Sequence, residues 1–291
     1  MKNMNSNKHN HQKKIAVIND FSGFGRCSLA VSLPIISTMK IQCCPLPTSV
    51  FSNHTGFDSF YFQDFTEHMN PYIGEWRKLG LKFNGITSGF LGSKQQIEIV
   101  KHFIDEFRME ETLVLIDPVM GDNGEPYATY TEEMCQEMKK LVSYADILTP
   151  NLTEACILTD TPYRQNGWKM AEIQELAWKL QKMGPKKVVI TGIIQGDFIA
   201  NYCYDAVECE SNADYRGKFM RTHKIGSTRS GTGDIFAAIV AADAVNGVPF
   251  EKSVRKASEF IKKCIQKSIE MDIPLTDGVC FEEVLSQLHV G

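Results

Sequence analysis

No stretch of this sequence is apolar for long enough to cross a membrane. The longest runs, such as Ile235 to Ala242, fall well short of the roughly 20 residues a spanning helix needs. Neither sign of charge dominates: 31 Lys and Arg stand against 35 Asp and Glu, for a net charge of -4 and a pI near 6.0. That balance excludes a global field favouring nucleic acid or an anionic membrane. Nine cysteines are present, an odd number, without a CxxC pair or the Cys/His spacing of a zinc site. No secretory apolar core precedes the first expected strand, so reduced thiols in a cytoplasm are the simplest account. The adjacent Cys43 and Cys44 read as two small buried residues in a strand rather than a redox pair. Also missing are a linker rich in Pro, Gly or Ser and an internal repeat, which makes one domain, residues 13–291, the expected organisation. Residues 1–12, polar and rich in Asn, Lys and His, read as a frayed tail.

What is present is a chain of 291 residues, 43% apolar, long enough to bury a sizeable core. Short apolar runs alternate with amphipathic helical segments, the pattern of an α/β fold with a mostly parallel sheet. Strands are expected at Ile15–Ile18, Ile41–Leu46, Gly85–Ser88, Leu113–Ile116, Ile147–Leu148 and Val188–Thr191. Helical spacing of Ile97, Val100, Ile104 and Phe107, then of Met134, Met138, Leu141 and Val142, then of Ile173, Leu176, Leu180 and Met183, fills the intervals. The segment from Gly196 to Lys224 reads as an antiparallel hairpin, Phe198–Tyr204 and Ala206–Cys209, turning near Asp205. A helix from about Thr232, apolar nearly all round and so buried, and a second one bearing Val254, Ala257, Ile261, Cys264, Ile265 and Ile269, close the chain. Polar residues gather where strands end: Asp20, Ser88, Asp117, Thr149 and Thr191. Ligands of open parallel sheets bind beyond the carboxyl ends of strands, so these five positions point to one cleft.

Two familiar nucleotide motifs fail. Gly23-Phe24-Gly25 follows the first strand, but Ser28 occupies the third glycine position of a dinucleotide fingerprint. No Asp or Glu lies between Asp20 and Asp58 to hold a ribose. Gly226 to Gly231 has P-loop glycine spacing, yet Thr232 and Gly233 stand where Lys and Ser/Thr are required. Read one step further, Gly231-Thr232-Gly233-Asp234 opens the buried helix. Free N–H groups and the helix dipole at such a place attract phosphate. A carboxylate beside them is costly unless it takes up a proton or helps hold a cation. Asp234 therefore reads equally as a helix cap or as the base that accepts a hydroxyl proton during phosphoryl transfer.

Gly231-Thr232-Gly233-Asp234 resembles the anion-hole and base motif of the ribokinase-like kinases. Phe51-Ser52-Asn53-His54-Thr55-Gly56, Ser88-Gly89-Phe90-Leu91-Gly92-Ser93, Asp117-Pro118-Val119-Met120-Gly121-Asp122 and Thr149-Pro150-Asn151-Leu152-Thr153-Glu154 are similar, in order and spacing, to motifs of the pyridoxal kinases within that superfamily. The resemblance covers about Ile15 to Met271 and implies a three-layer sandwich, a central sheet flanked by helices. It implies ATP as co-substrate, Asp234 as general base, and Gly231, Thr232 and Gly233 as the anion hole. Asp117, Asp122, Thr149, Asn151, Glu154 and Thr191 would line the nucleotide. Asp122 and Glu154 would serve Mg²⁺, and Asp117 and Thr149 a monovalent cation such as K⁺. His54, Thr55 and Gly56 would lie by the substrate ring, with Asp20 and Phe90 as its further neighbours. The resemblance also implies a homodimer acting on a small molecule, with no nucleic-acid or membrane partner.

Each role has a plainer counterpart: Asp117 as a strand end before Pro118, Glu154 as a first-turn helix acid, Asp122 as a turn residue, His54 as a loop histidine. Two positions depart from the pyridoxal kinase pattern, Asp20 where serine is frequent and Phe90 where tyrosine is. The loop Asp20 to Gly25 also looks partly like that of hydroxymethylpyrimidine kinases. The expected activity is phosphorylation of the 5′-hydroxymethyl group of pyridoxal, pyridoxamine or pyridoxine. A hydroxymethylpyrimidine kinase is the alternative within the class, and a non-catalytic B6 or nucleotide sensor the alternative outside it.

Overall fold

A computed structural model describes residues 11–211 and 217–289. Of the expected tail, residues 1–12, the first ten lie outside the described residues. In chain order the elements are β1 (Lys14–Ser22), α1 (Ser28–Thr38), β2 (Gln42–Phe51), β3 (Phe62–Asp64), α2 (Thr66–Leu79), β4 (Gly85–Ser88), α3 (Lys94–Phe107), β5 (Leu113–Ile116), β6 (Gly121–Asp122) and β7 (Glu125–Pro126). There follow α4 (Glu132–Val142), β8 (Ile147–Leu148), α5 (Leu152–Leu158), α6 (Met170–Lys182), β9 (Lys187–Gln195), β10 (Phe198–Asp205), α7 (Ala206–Ser211), β11 (Lys218–His223), α8 (Thr232–Val245) and α9 (Phe250–Glu270). Two 3-10 turns, Leu275–Asp277 and Glu282–Gln287, come last.

Nine strands make one sheet in the order β11-β10-β9-β8-β5-β4-β1-β2-β3. The six from β9 to β2 run parallel, and an antiparallel strand or pair finishes each edge. Side chains alternate between faces with period two, so each central strand feeds two cores. Ala16 and Ile18 of β1, with Val114 and Ile116 of β5, pack against α2 to α6. Ile15, Val17 and Leu115 pack against α1, α8 and α9. Both faces of the sheet are therefore apolar, and burying each of the Ile, Leu and Val side chains is worth roughly 1.5–3 kcal/mol. The result is a helix–sheet–helix sandwich. It explains the helix that is apolar all round: α8 lies between the sheet and α9, with Ile235, Ile239, Val240 and Ala242 fully buried.

Local chemistry sets the boundaries. Ser93 caps α3 by accepting the Gln96 N–H (3.2 Å), and Thr131 caps α4 by accepting that of Met134 (3.2 Å). The expected hairpin at 198–209 is corrected. Phe198–Asp205 is one arm, but its partners are β9 and β11. Residues 206–211 instead turn into α7, where the Asp205 carboxylate accepts the Val207 N–H at 3.1 Å and ends the strand. Sequence reading also passed over α2, whose only buried apolar residues are Met69 and Ile73. Cys27, Cys43, Cys44, Cys135, Cys156, Cys203, Cys264 and Cys280 are free thiols. Among the described residues no helix is long and apolar enough to cross a membrane.

Candidate active site

The parallel strands all deliver their carboxyl ends to one side of the sheet, and Asp20, Asp117, Thr149 and Asp234 lie at that side. Asp234 stands in the first turn of α8, behind Gly231. Gly231 has φ 86°, and a Cβ there would run into the Arg26 carbonyl of the β1–α1 loop. Only glycine lets these two chain segments approach so closely. The Asp234 carboxylate accepts the Asn19 amide N–H at 3.2 Å and the backbone N–H of Ser28. A cavity of about 20 Å³, room for one water, lies beneath it, lined by Asn19, Ser88, Gly89, Asp117 and Asp234 among others.

Asp117, just past β5, accepts the Thr149 hydroxyl at 2.9 Å. Thr149 leads into the start of α5, where Asn151 and Glu154 form a reciprocal capping box. Glu154 accepts the N–H of Met120 through one oxygen (3.2 Å) and that of Asn151 through the other (2.8 Å). The Asn151 amide in turn donates to the Gly121 carbonyl (2.8 Å), fastening the β6–β7 turn to the helix. Thr191 pairs with Asn151 as an isolated bridge and donates its N–H to the Pro150 carbonyl at 2.9 Å. The Asp117–Thr149 pair and the Asn151–Glu154–Thr191 group are thus two bonded sets, joined by the chain through Pro150. Asp122 is exposed on the turn beside them, with its carboxylate accepting from the Asn123 backbone and side chain.

Burial pushes the Asp117 carboxyl well above its usual range, and the neighbouring Asp234 charge pushes the same way, against the Thr149 bond. Glu154 is raised by burial and then by Asp117. Burial also raises Asp234, opposed by its bonds to Ser28 and Asn19. Asp20 is pushed up to about 6 by burial, and by Asp234, against hydrogen bonds from Ser28 and Ser22. Among the described residues no Lys or Arg forms an ion pair with any of these acids. Acids crowded without a cation of their own favour protons or a bound cation.

The ring side is built differently. Asp20 is buried and accepts the hydroxyls of Ser28 (2.5 Å) and Ser22 (3.1 Å), so its carboxylate braces its own loop. The Phe90 ring packs edge-on against Phe51, with ring centres 6.2 Å apart. His54 and Gly56 stand farther out in the loop after β2. The His54 ring accepts the Gly56 N–H at 3.0 Å and meets the Thr276 carbonyl at 2.7 Å. Thr55 is exposed.

The chain matches the model of the phosphomethylpyrimidine kinase family over residues 79–275. It belongs to that family. A provisional phosphomethylpyrimidine kinase from Bacteroides thetaiotaomicron has a solved structure 36% identical to this chain. It superposes with a TM-score of 0.90 over 96% of this chain and 94% of its own. An orthorhombic form, also 36% identical, contains pyridoxal. The hydroxymethylpyrimidine/phosphomethylpyrimidine kinase of Haemophilus influenzae is 31% identical over 63% of this chain and 65% of that protein. For the pyridoxine/pyridoxal/pyridoxamine kinase of Bordetella avium the identity is 28%, over 62% and 59%. The chain thus spans less than two thirds of the length of these two curated relatives. The architecture is ribokinase-like.

Sequence reading of this family member missed Asn19, Ser28 and Arg229. Asn19 adjoins Asp20 at a strand end, which was the available signal. Arg229 is buried, and its guanidinium donates to the carbonyls of Ile273 (2.8 Å) and Pro274 (2.9 Å). Through it and Val279, which donates its N–H to the Ser230 carbonyl (3.1 Å), the segment after α9 straps the loop ahead of α8.

Proposed function

We propose that this chain transfers the γ-phosphoryl group of ATP to the 5′-hydroxymethyl oxygen of a B6 vitamer. The observation that carries this reading is the placement of Asp234 behind Gly231–Gly233 at the start of α8, sharing one small cavity with Asn19 and Asp117. Asp234 takes the hydroxyl proton as the oxygen attacks, and the amides of residues 231–233 hold the charge on the transferred group. Because burial raises its carboxyl, Asp234 is a better proton acceptor than an exposed aspartate. Asn151, Glu154 and Thr191 line the nucleotide side, and Asp20, His54, Thr55, Gly56 and Phe90 the vitamer side.

Mg²⁺ fits the acids present. The exposed Asp122 can reach a metal directly. Glu154, with both oxygens occupied by backbone amides, would serve it only indirectly. When bound, Mg²⁺ neutralises the phosphates. Asp117 and Thr149 suit a monovalent cation, since the buried carboxylate lacks a paired lysine or arginine. The free thiols fit a cytoplasmic setting, and the family resemblance supports a homodimer, which sedimentation would test.

Two findings support a B6 vitamer over other alcohols: the pyridoxal held by the Bacteroides relative, and the aromatic pair of Phe90 and Phe51, whose rings meet edge to face. The second reading is hydroxymethylpyrimidine phosphorylation, favoured by the family match and by Asp20. ATP consumption, measured with Mg²⁺ and K⁺ and each of pyridoxal, pyridoxamine, pyridoxine and hydroxymethylpyrimidine, separates them. Turnover on a vitamer is the expected result. Turnover on the pyrimidine alone transfers the same mechanism to the second substrate, and silence on all four sinks both readings.

A further inference from the structure

The side chain in direct contact with Asp234 belongs to Asn19, a residue that no motif drew attention to. Asn19 is buried, 5% exposed, near the end of β1. Beyond it, β1 breaks register with β2 between Asn19 and Phe21, an irregularity of the kind that re-aims side chains at a sheet's end. Its amide has every group committed. The oxygen accepts two backbone N–H groups, that of Asp20 at 3.0 Å and that of Phe90 at 2.8 Å. An oxygen receiving two donors cannot exchange places with the NH₂ group, so the network sets the amide's orientation. The NH₂ group is therefore left facing Asp234, 3.2 Å from its Oδ1. Gly89 makes room for this arrangement, because a Cβ there would fall within 2.5–2.7 Å of three atoms of the Asn19 amide.

We propose that Asn19 is the positioning residue of the reaction, orienting the Asp234 carboxylate and tying it to the Phe90 loop that walls the substrate. This rests on the reading of Asp234 as the base. With one oxygen held by Asn19 and a further bond from the Ser28 N–H, the carboxylate cannot rotate freely above the cavity. The Phe90 backbone hangs from the same amide, so a shift of the substrate wall is felt at the base. Because Asn19 bonds to Asp234 and not to a reacting atom, its loss should appear in turnover rather than in binding.

Asn19→Asp tests this most directly. The variant keeps an oxygen for the two backbone donors, but turns a second oxygen, not a donor, towards Asp234. Steady-state kinetics on the preferred alcohol should show kcat lowered by about 10–100-fold, with the KM values of ATP and alcohol within about threefold of the parent. Gly89→Ala is the independent variant, displacing an intact Asn19 by its added Cβ. Its kcat should fall with the same split between kcat and KM. Thermal melting and ADP binding establish that each variant is folded. Should one of the two fail to fold, the other decides alone. Folded variants with kcat near the parent, or with loss confined to KM, overturn the proposal. Asp234→Asn is measured beside them: if it turns over normally, the base assignment falls and this proposal with it. If it is inactive while Asn19→Asp is normal, only the positioning role is wrong.

Discussion

The two ends of the site are held by different kinds of structure. At the phosphate end, Asp117, Thr149, Asn151 and Glu154 sit on strand ends and a helix start within 40 residues of sequence. They are bonded in two pairs and to nearby backbone. At the ring end, the loops carrying Asp20, His54 and Phe90 are pinned by partners far along the chain. Thr276 meets His54 from 222 positions away, and Arg26 reaches the Asp277 carbonyl and Glu282 from more than 250. Exposed aromatics, Phe24, Phe60, Tyr61 and Phe62, surround that end. On the proposed reading, the nucleotide side thus rests on geometry local to residues 117–154, while Asp234 itself is held from 215 positions away by Asn19. On the same reading, substrate choice would rest on loops whose arrangement depends on long-range contacts. A change at the first end should remove activity, and a change at the second should redirect or weaken it.

The sharpest way to break this contrast is Asp234→Asn. If the phosphate end carries the chemistry, turnover should fall by roughly 10²–10⁴-fold while ADP affinity, measured by calorimetry, stays within a few-fold of the parent. Comparable loss from a substitution at His54, which touches neither Asp234 nor Asn19, would erase the distinction.

Asp20 provides the next effect, on stability. Its folded carboxyl lies above its unfolded value of 3.8, at about 6. The folded state therefore binds the proton more tightly than the unfolded chain, and the group weakens folding as pH rises. The penalty is absent below about pH 4 and complete above about pH 6. A shift of this size corresponds to at most about 3 kcal/mol. Asp20→Asn removes it, so in urea unfolding the variant should gain on the parent between pH 4 and 6.5 and hold that gain at higher pH. A stability difference that does not change with pH would mean that Asp20 does not carry this proton.

Glu154→Gln should act next, at the phosphate end. Glutamine places an NH₂ group against one of the two backbone N–H groups that the carboxylate now satisfies. An unmet buried donor costs about 1–3 kcal/mol, read as a lowered melting temperature, together with a raised KM for MgATP. A melting temperature unchanged from the parent would show that water or a shifted backbone replaces the capping box.

The same contrast decides how much could be read without coordinates. Short continuous apolar runs located β4, β5 and β8 at their observed bounds, because strands of a parallel sheet are buried on both faces. The polar residue closing each strand then marked the cleft, since the fold sends those ends to one side. Asp117, Thr149 and Asn151 were legible for that reason. Asn19 was not, because an asparagine beside an aspartate reads as turn chemistry until Phe90 is seen to hang from it. Arg229 stands two residues before Gly231, yet its partners lie 44 and 45 positions on, in a segment without helical or strand periodicity. The hairpin failed where Asp205 capped a helix that β propensity does not foresee.

His54 offers the smallest and most discriminating test, because the strap it touches also reaches the phosphate end. Its Nδ1 accepts the Gly56 N–H, so Nε2 carries the proton given to the Thr276 carbonyl; the tautomer follows from these partners. The same strap takes the Arg229 guanidinium at Ile273 and Pro274 and returns a bond from Val279 to Ser230, next to Gly231. If the two ends are separable, His54→Ala loosens only the ring-end loop. The KM of the alcohol should rise by about 3–10-fold, about 0.6–1.4 kcal/mol, with kcat within twofold and the KM of ATP unchanged. If the KM of ATP rises in step, the strap transmits the loss of one latch to the other. In that case the long-range contacts steady the phosphate end as well, and the local bonds from Asp117 to Glu154 are insufficient to hold the nucleotide alone.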